Sequence, residues 1–250
     1  MHNYDLKFEY RPGKWIFIPN KATSVYGKKL IKDLENIWVP DRIFCHLGKQ
    51  GGHLAAIRPH QRNEYKASID LRGFFPSTTR SKVVRGLHSI GYKNKDAFQI
   101  AERSCIAFQS AKHLPYGFVQ SMHLATLALE ASHLGKTLKA IRDSGHCLTM
   151  YVDDILISGS DFYTLQQDYE RIVQAAAVSK YPLAEEKCSG PSAAISAFNI
   201  EQDHSEMRIT ECRFQKFVDD YITGNEAQRE ALLRYVAVVN VSQANALASI

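Results

Sequence analysis

The sequence predicts an α+β fold, with an antiparallel sheet carrying helices on one face. Three observations predict it. Candidate elements run in the order strand, helices, hairpin, helix, hairpin, which suits an antiparallel sheet rather than repeated parallel crossovers. YKASIDLRGFF (65–75) alternates apolar and polar residues, as a half-buried strand does, and CLTMYVDDILISG (147–159) reads as two short apolar strands joined at Asp153 and Asp154. Apolar residues recur at helical spacing in VYGKKLIKDLENIW (25–38) and DFYTLQQDYERIVQAAAVSK (161–180).

The remaining elements follow in order. After the 25–38 helix, Gly48, Gly51 and Gly52 form a flexible turn, and Leu54–Ile57 is a possible strand. The strand at 65–75 ends at a tight Gly73. TRSKVVRGLHSIG (79–91) is a short helix closed by Gly91, and KDAFQIAERSCIAFQ (95–109) is another. Residues 114–145 begin as a loop and continue as one long helix rich in small residues. The 161–180 helix has Asp161 as its N-cap. ISAFNIEQDHSEMRIT (195–210) is a second hairpin turning at Asp203–Ser205, with a helical stretch from about Glu226. No repeat, low-complexity tract or long linker divides the chain.

Composition narrows the class. The 250 residues are 45% hydrophobic and 23% charged, ordinary for a globular protein with a sizeable core. No run of about 18 uncharged apolar residues occurs, so no transmembrane helix is expected. MHNYDLKFEYRPGK lacks the apolar stretch of a secretory signal. Five cysteines (Cys45, Cys105, Cys147, Cys188 and Cys212) are scattered without a CxxC pair, arguing against a disulfide framework or zinc knuckle and for a reducing cytoplasm. His53, His60, His113, His123 and His146 show no zinc spacing either. The net charge of +5 is concentrated: residues 1–66 hold 12 Lys and Arg, Lys49 among them, against 6 Asp and Glu. That basic segment suits polyanion contact or a merely solvated face.

The residues that carry chemistry are acidic. Asp70 ends the first core strand, and Asp153 and Asp154 sit at the hairpin turn. An Asp-Asp pair alone reads as a turn, because aspartate hydrogen-bonds its own backbone. If the two strands are neighbours, however, three carboxylates meet at one point and cannot all ionise without cations. Divalent ions bridged by carboxylates serve in-line displacement at phosphorus, and hard oxygen donors without nearby cysteine favour Mg²⁺ over zinc.

SIDLRGFFPS around Asp70, LPYGFVQS at 114–121 and YVDD at 151–154 occur in the order and approximate spacing of the polymerase motifs of reverse transcriptases. The resemblance spans roughly residues 50–200 and is strongest to the bacterial retron and group II intron branch. GGHLAAIRPH and FNIE bring it nearer to the defence-associated (unknown-group) reverse transcriptases. It implies a right-hand polymerase: N-terminal basic fingers at 1–66, a palm at 67–200 with a fingers insertion around 92–118, and a primer-grip hairpin end with a short helical thumb at 201–250. It implies two Mg²⁺ held by Asp70 and Asp153, with Asp154 in support. Backbone amides from Leu71 through Arg72 and Gly73 to Phe74 would face the nucleotide phosphates. Phe75, five residues after Asp70, would be the steric gate favouring dNTPs; core packing is the alternative for Phe74 and Phe75.

By the same resemblance Tyr116, Gly117, Gln120 and Ser121 shape the nucleotide pocket. Tyr116 and Met122 depart from the family's common glutamine and proline, which leaves nucleotide handling open. Lys187 takes the place of a lysine near the leaving pyrophosphate, and Arg58 and Lys66 are candidates for triphosphate or template contacts. Phe198 and Asn199 would lie in the first strand of the primer-gripping hairpin, with Tyr151 and Val152 lining the primer side. The implied partners are an RNA template, a primer, dNTPs and, with so short a thumb, a structured non-coding RNA or partner chain. Low processivity, no RNase H or endonuclease domain and a role in antiviral defence are further expectations. Template-independent or protein-primed synthesis, RNA synthesis and a non-catalytic RNA-binding palm stay open as alternatives.

Overall fold

The structure is a computed structural model that describes residues 3–48, 51–108 and 111–250; Lys49, and Gln109 at the end of a predicted helix, lie outside them. At its centre is a four-stranded antiparallel sheet in the order β6-β7-β3-β8, formed by β3 (Tyr65–Asp70), β6 (Cys147–Tyr151), β7 (Asp154–Gly159) and β8 (Ser189–Ser192). Alternation along these strands sorts the side chains onto two faces. Ala67, Ile69, Leu148, Met150, Ile155 and Ile157 enter the main core. Lys66, Ser68, Asp70, Thr149, Asp154, Leu156 and Ser158 alternate with them and take the other face.

The main core is completed by α1 (Lys21–Ile37), α4 (Arg80–Ser89), α5 (Asn94–Ser104), α6 (Ser121–Glu130), α7 (His133–Asp143) and α8 (Phe162–Val178). Fully buried side chains such as Leu34, Leu87, Leu124, Leu138 and Ile172 each contribute about 1.5–3 kcal/mol by leaving water. Asp161 caps α8 by accepting from the Thr164 amide, as its position predicts. The helix predicted through 145 is two, because Ser132 Oγ accepts from the Gly135 amide and starts α7 afresh.

Other elements differ from expectation. Residues 4–19 form a hairpin, β1 (Tyr4–Arg11) and β2 (Lys14–Pro19). Leu54–Ile57 lies in a helical turn, α2 (His53–Ile57), followed by a 3₁₀ turn at Arg58–His60. Gly73, in the left-handed region at φ 58°, opens a short helix, α3 (Phe74–Ser77), so Phe74 and Phe75 are helical rather than strand neighbours. The predicted 95–109 helix stops at Ser104, and β4 (Ile106–Phe108) pairs with β5 (Ala111–His113).

The second hairpin is a three-stranded meander of β9 (Ile195–Ala197), β10 (Ile200–Gln202) and β11 (Met207–Ile209). Phe198 and Asn199, placed inside a strand by the sequence, are the two-residue turn between β9 and β10. Their φ values of 58° and 60° are those of the primed turn that matches strand twist. The chain closes with α9 (Glu211–Thr223), α10 (Glu226–Val239) and α11 (Val241–Ala248). The meander and these helices share a second core, joined by Ile57 and by Leu156 from the sheet's polar face.

Candidate active site

Asp70 and Asp154 are direct cross-strand partners at one end of β3 and β7, so their side chains share a face. Asp153 is the second residue of the two-residue turn between Tyr151 and Asp154. The turn is pinned from two sides. The Leu71 amide donates to Asp153 O at 2.9 Å, and the Val152 amide donates to His46 Nδ1 at 2.9 Å. Val152 has φ 60°, a conformation that costs a β-branched residue about 1–3 kcal/mol and persists only where the surroundings impose it.

The carboxylates are crowded. Burial, then the charge of Asp70, raises Asp153 above the ordinary carboxylate range. Burial, then Asp153 and Asp70, pushes Asp154 up to about 7. Lys187, in the 3₁₀ turn before β8, donates to Asp70 Oδ2 at 2.9 Å and is raised above its usual value chiefly by that bond. Among the described residues no set of three or more acidic, histidine or cysteine side chains is arranged to hold a metal ion. The fit to Mg²⁺ is instead in the donors: three hard carboxylates, short of compensating positive charge, at one sheet end.

Above the carboxylates stand Phe75 and Tyr116. Their rings meet edge to face at 5.1 Å, and Phe75 is half-buried while Phe74 is fully buried against Tyr181. Burial, with Asp153 and Asp70 nearby, pushes the Tyr116 phenol up to about 12, so it is a neutral hydrogen-bonding group. Lys14, from the β1–β2 hairpin, places its ammonium 4.6 Å from the Tyr116 ring centre and bears on Asp153 electrostatically. Sequence reasoning missed Lys14; its only signal is a lysine beside a Gly turn, and a fold is needed to bring it here.

Several expected contacts lie elsewhere. Arg58 donates to Val238 O at 2.9 Å, tying the 3₁₀ turn to α10, away from the carboxylates. Lys66 is fully buried at the far end of β3, donating to Asn63 O and Ala193 O, because even-numbered β3 residues point beneath the meander side of the sheet. Gln120 is buried at the start of α6, 3.4 Å from Ser104 Oγ and packed over Gly27, rather than facing the site. Ser121 donates to Pro115 O and braces its own loop.

Gly117, at φ 102°, is required by the chain itself: a Cβ there would lie 2.2 Å from Phe17 O on β2. The amides of Leu71 and Arg72 are engaged by Asp153 O and Pro182 O, leaving those of Gly73 and Phe74 at the start of α3. The Arg72 side chain is exposed and paired with Glu186 at 2.6 Å. The histidines are spread out: His53 meets Tyr235 Oη, His60 lies between Ser158 and Thr149, His113 meets Leu114 O, His123 is near Glu35, and His146 pairs with Asp168.

On the other side of the turn, Tyr151 and Phe198 meet at 5.5 Å. They line a cavity of about 940 Å³ with His53, Asn199, Arg213 and Tyr235, between the meander turn and the last helices. The carboxylates therefore have Phe75 and Tyr116 on one side and the cavity beside α9 and α10 on the other.

A search of curated proteins finds no match to this chain. Among solved structures, the chain is similar to a foamy viral protease-reverse transcriptase in complex with double-stranded DNA, with TM-score 0.50, 18% identity, and coverage of 91% of this chain and 34% of that one. A telomerase from Candida albicans in complex with a fragment of telomeric RNA aligns at TM-score 0.49 and 10% identity, over 92% of this chain and 47% of that one. The chain thus spans about a third of the foamy viral chain, and the likeness is one of fold. The family model for reverse transcriptase (RNA-dependent DNA polymerase) matches residues 9–194, a stretch containing Lys14, the three carboxylates and Lys187, and the chain belongs to that family.

Proposed function

We propose that this chain is an RNA-directed DNA polymerase that adds dNTPs to a primer 3′-hydroxyl. The observation that carries the reading is the meeting of Asp70, Asp153 and Asp154 at one sheet end with Lys187 against them. Asp70 and Asp153 would hold two Mg²⁺, with Asp154 in support. When bound, such ions lower the pKa of the attacking hydroxyl and neutralise charge on the phosphates.

The chain's own groups do the positioning. Lys187 stands where a cation meets the leaving pyrophosphate, and Lys14 approaches from the fingers side. The Gly73 and Phe74 amides add donors. Phe75, braced by Tyr116, fills the space a 2′-hydroxyl would need. The cavity beside Tyr151 and Phe198 is the place for the primer end. We assign residues 1–66 to fingers, 67–200 to palm with the 92–118 insertion, and 201–250 to the primer-grip end and thumb helices. The motif wording favours the bacterial retron and group II intron branch, a defence-associated member acting in the cytoplasm.

The test is nucleotide incorporation with Mg²⁺ on a primed RNA of defined sequence, followed by sequencing of the product. The expected product is DNA complementary to the added RNA. Product of unrelated sequence, or equal product without RNA, contradicts templated synthesis. Phe75→Ala should raise the use of rNTPs relative to dNTPs by about tenfold or more, a ratio worth roughly 1.4 kcal/mol; an unchanged ratio removes Phe75 from sugar selection.

A further inference from the structure

The tautomer of His46 follows from the hydrogen bonds of Thr126 and Val152. Thr126 has one hydroxyl proton, and its Oγ1 donates to Met122 O at 2.9 Å inside α6. The contact of His46 Nε2 with Thr126 Oγ1 at 2.8 Å must then be donated by Nε2–H. A neutral ring with its proton on Nε2 has a bare Nδ1, and Nδ1 receives the Val152 amide at 2.9 Å. The ring is largely buried, stacked edge-on between Phe44 (6.2 Å) and Tyr151 (6.1 Å), and burial lowers its pKa to about 4, in keeping with a neutral acceptor. Its backbone is equally fixed. Cys45 donates to Met150 O at 2.9 Å and Met150 donates to Ile43 O at 2.7 Å, so the loop carrying His46 is laced to β6.

Val152 is the residue this ring holds, and it occupies the left-handed region at φ 60° one position before Asp153. A turn whose first central residue has positive φ ordinarily uses glycine there. A valine needs outside contacts to stay, and its amide has one acceptor, His46 Nδ1.

We infer that His46 is a positioning residue: its Nδ1, set by the relay Met122–Thr126–His46, locks the strained Val152 turn and thereby fixes the Asp153 carboxylate. The inference rests on the polymerase reading for its kinetic consequence but not for its structural one. Displacement of a reacting group by about 1 Å costs on the order of 100-fold in rate. The relay therefore acts on turnover far more than on nucleotide affinity.

Two near-isosteric substitutions separate the two ring nitrogens. His46→Asn can retain an acceptor near the Nδ1 position and loses the Nε2 donor; His46→Gln retains a group near Nε2 and loses the acceptor. The expected result is that His46→Asn keeps kcat within about threefold, whereas His46→Gln and His46→Phe lower it by about 10- to 100-fold with little change in dNTP KM. In the unmodified protein, ¹⁵N NMR should show His46 protonated on Nε2 alone, and the Val152 amide should be protected from exchange. His46→Phe should lose that protection while the Ile155 and Ile157 amides keep theirs. Equal losses in His46→Asn and His46→Gln, full activity in His46→Phe, or a proton on Nδ1 would overturn the inference. If the unmodified protein incorporates no nucleotide, the polymerase reading fails, while the tautomer and the Val152 protection still decide the role of His46.

Discussion

The polar face of the palm sheet has two ends, built from the same strands and opposite in character. At one end Asp70, Asp153 and Asp154 crowd together, with Lys187 bonded to Asp70. At the other, His60 is fully buried between Ser158 Oγ at 2.7 Å and Thr149 Oγ1 at 2.8 Å. Thr149 donates to Ala56 O and Asn63 donates to Ser158 Oγ, which leaves Ser158 donating to His60 Nδ1 and His60 Nε2–H donating to Thr149. Lys66 beside it is satisfied by two carbonyls. His60, Thr149, Ser158, Asn63 and Lys66 at the far end each have a partner and the ring is neutral; at the near end like charges face one another. Burial of satisfied polar groups specifies a fold, while burial of uncompensated ones opposes folding and marks a site that takes its missing charge from a ligand.

Breaking the satisfied end should damage stability first. His60→Leu leaves Ser158 without its acceptor and Thr149 without its donor in a dry interior, and should lower the free energy of unfolding by about 3 kcal/mol. Denaturant melts measure it, and a loss below 1 kcal/mol would show that water or rearrangement replaces the ring.

The two ends should also answer pH with opposite signs. Burial lowers His60 to about 3, so between the unfolded value near 6.5 and that pH the unfolded chain binds a proton the native chain refuses. Stability from this end is therefore complete above 6.5 and drains as pH falls, by about 2 kcal/mol between pH 6.5 and 5. Asp154 is raised to about 7, so here the native chain holds a proton the unfolded chain has released. Its contribution is complete below about pH 4 and is lost as pH rises through 7. In metal-free buffer the two partly cancel from pH 7 to 5, and Asp154→Asn should expose the steady acid loss from His60, to which buried His46, lowered to about 4, adds with the same sign. Identical pH profiles for the variant and the unmodified protein would remove Asp154 from the balance. The smallest effect expected is on stability at neutral pH, where Asp154→Asn should gain about 1 kcal/mol by relieving repulsion.

Much of this contrast was legible in the chain, and some was not. The alternation Lys66-Ala67-Ser68-Ile69-Asp70 and Asp154-Ile155-Leu156-Ile157-Ser158 announces a sheet with one apolar and one polar face, and Asp70 ends its strand as read, whereas the turn lies one residue earlier than read, at Val152–Asp153, with Asp154 opening β7. Local rules also fixed Gly91 and the Asp161 cap. What failed had no distinctive signal in the local sequence. The 114–145 run has one helical period, and only Ser132 capping a new turn divides it. Phe198–Asn199 lacks the glycine that advertises a tight turn. Arg58, Lys66 and Gln120 carry the right chemistry for phosphate or base contact. Their destinations are Val238, Asn63 and Ser104, residues 180, 3 and 16 positions away. Lys14 and His46 were missed for the converse reason, since nothing local marks a lysine or histidine that the fold carries to the turn.

The central claim is that the near end of this sheet trades folding stability for chemistry. One preparation of Asp153→Asn tests it, assayed for dNTP incorporation with Mg²⁺ and for thermal unfolding without it. The account predicts that incorporation falls by about three orders of magnitude or more, the loss of several kcal/mol of transition-state stabilisation, while the melting temperature is unchanged or higher. Near-full incorporation, or a fall in activity matched by a collapse in melting temperature, would contradict it.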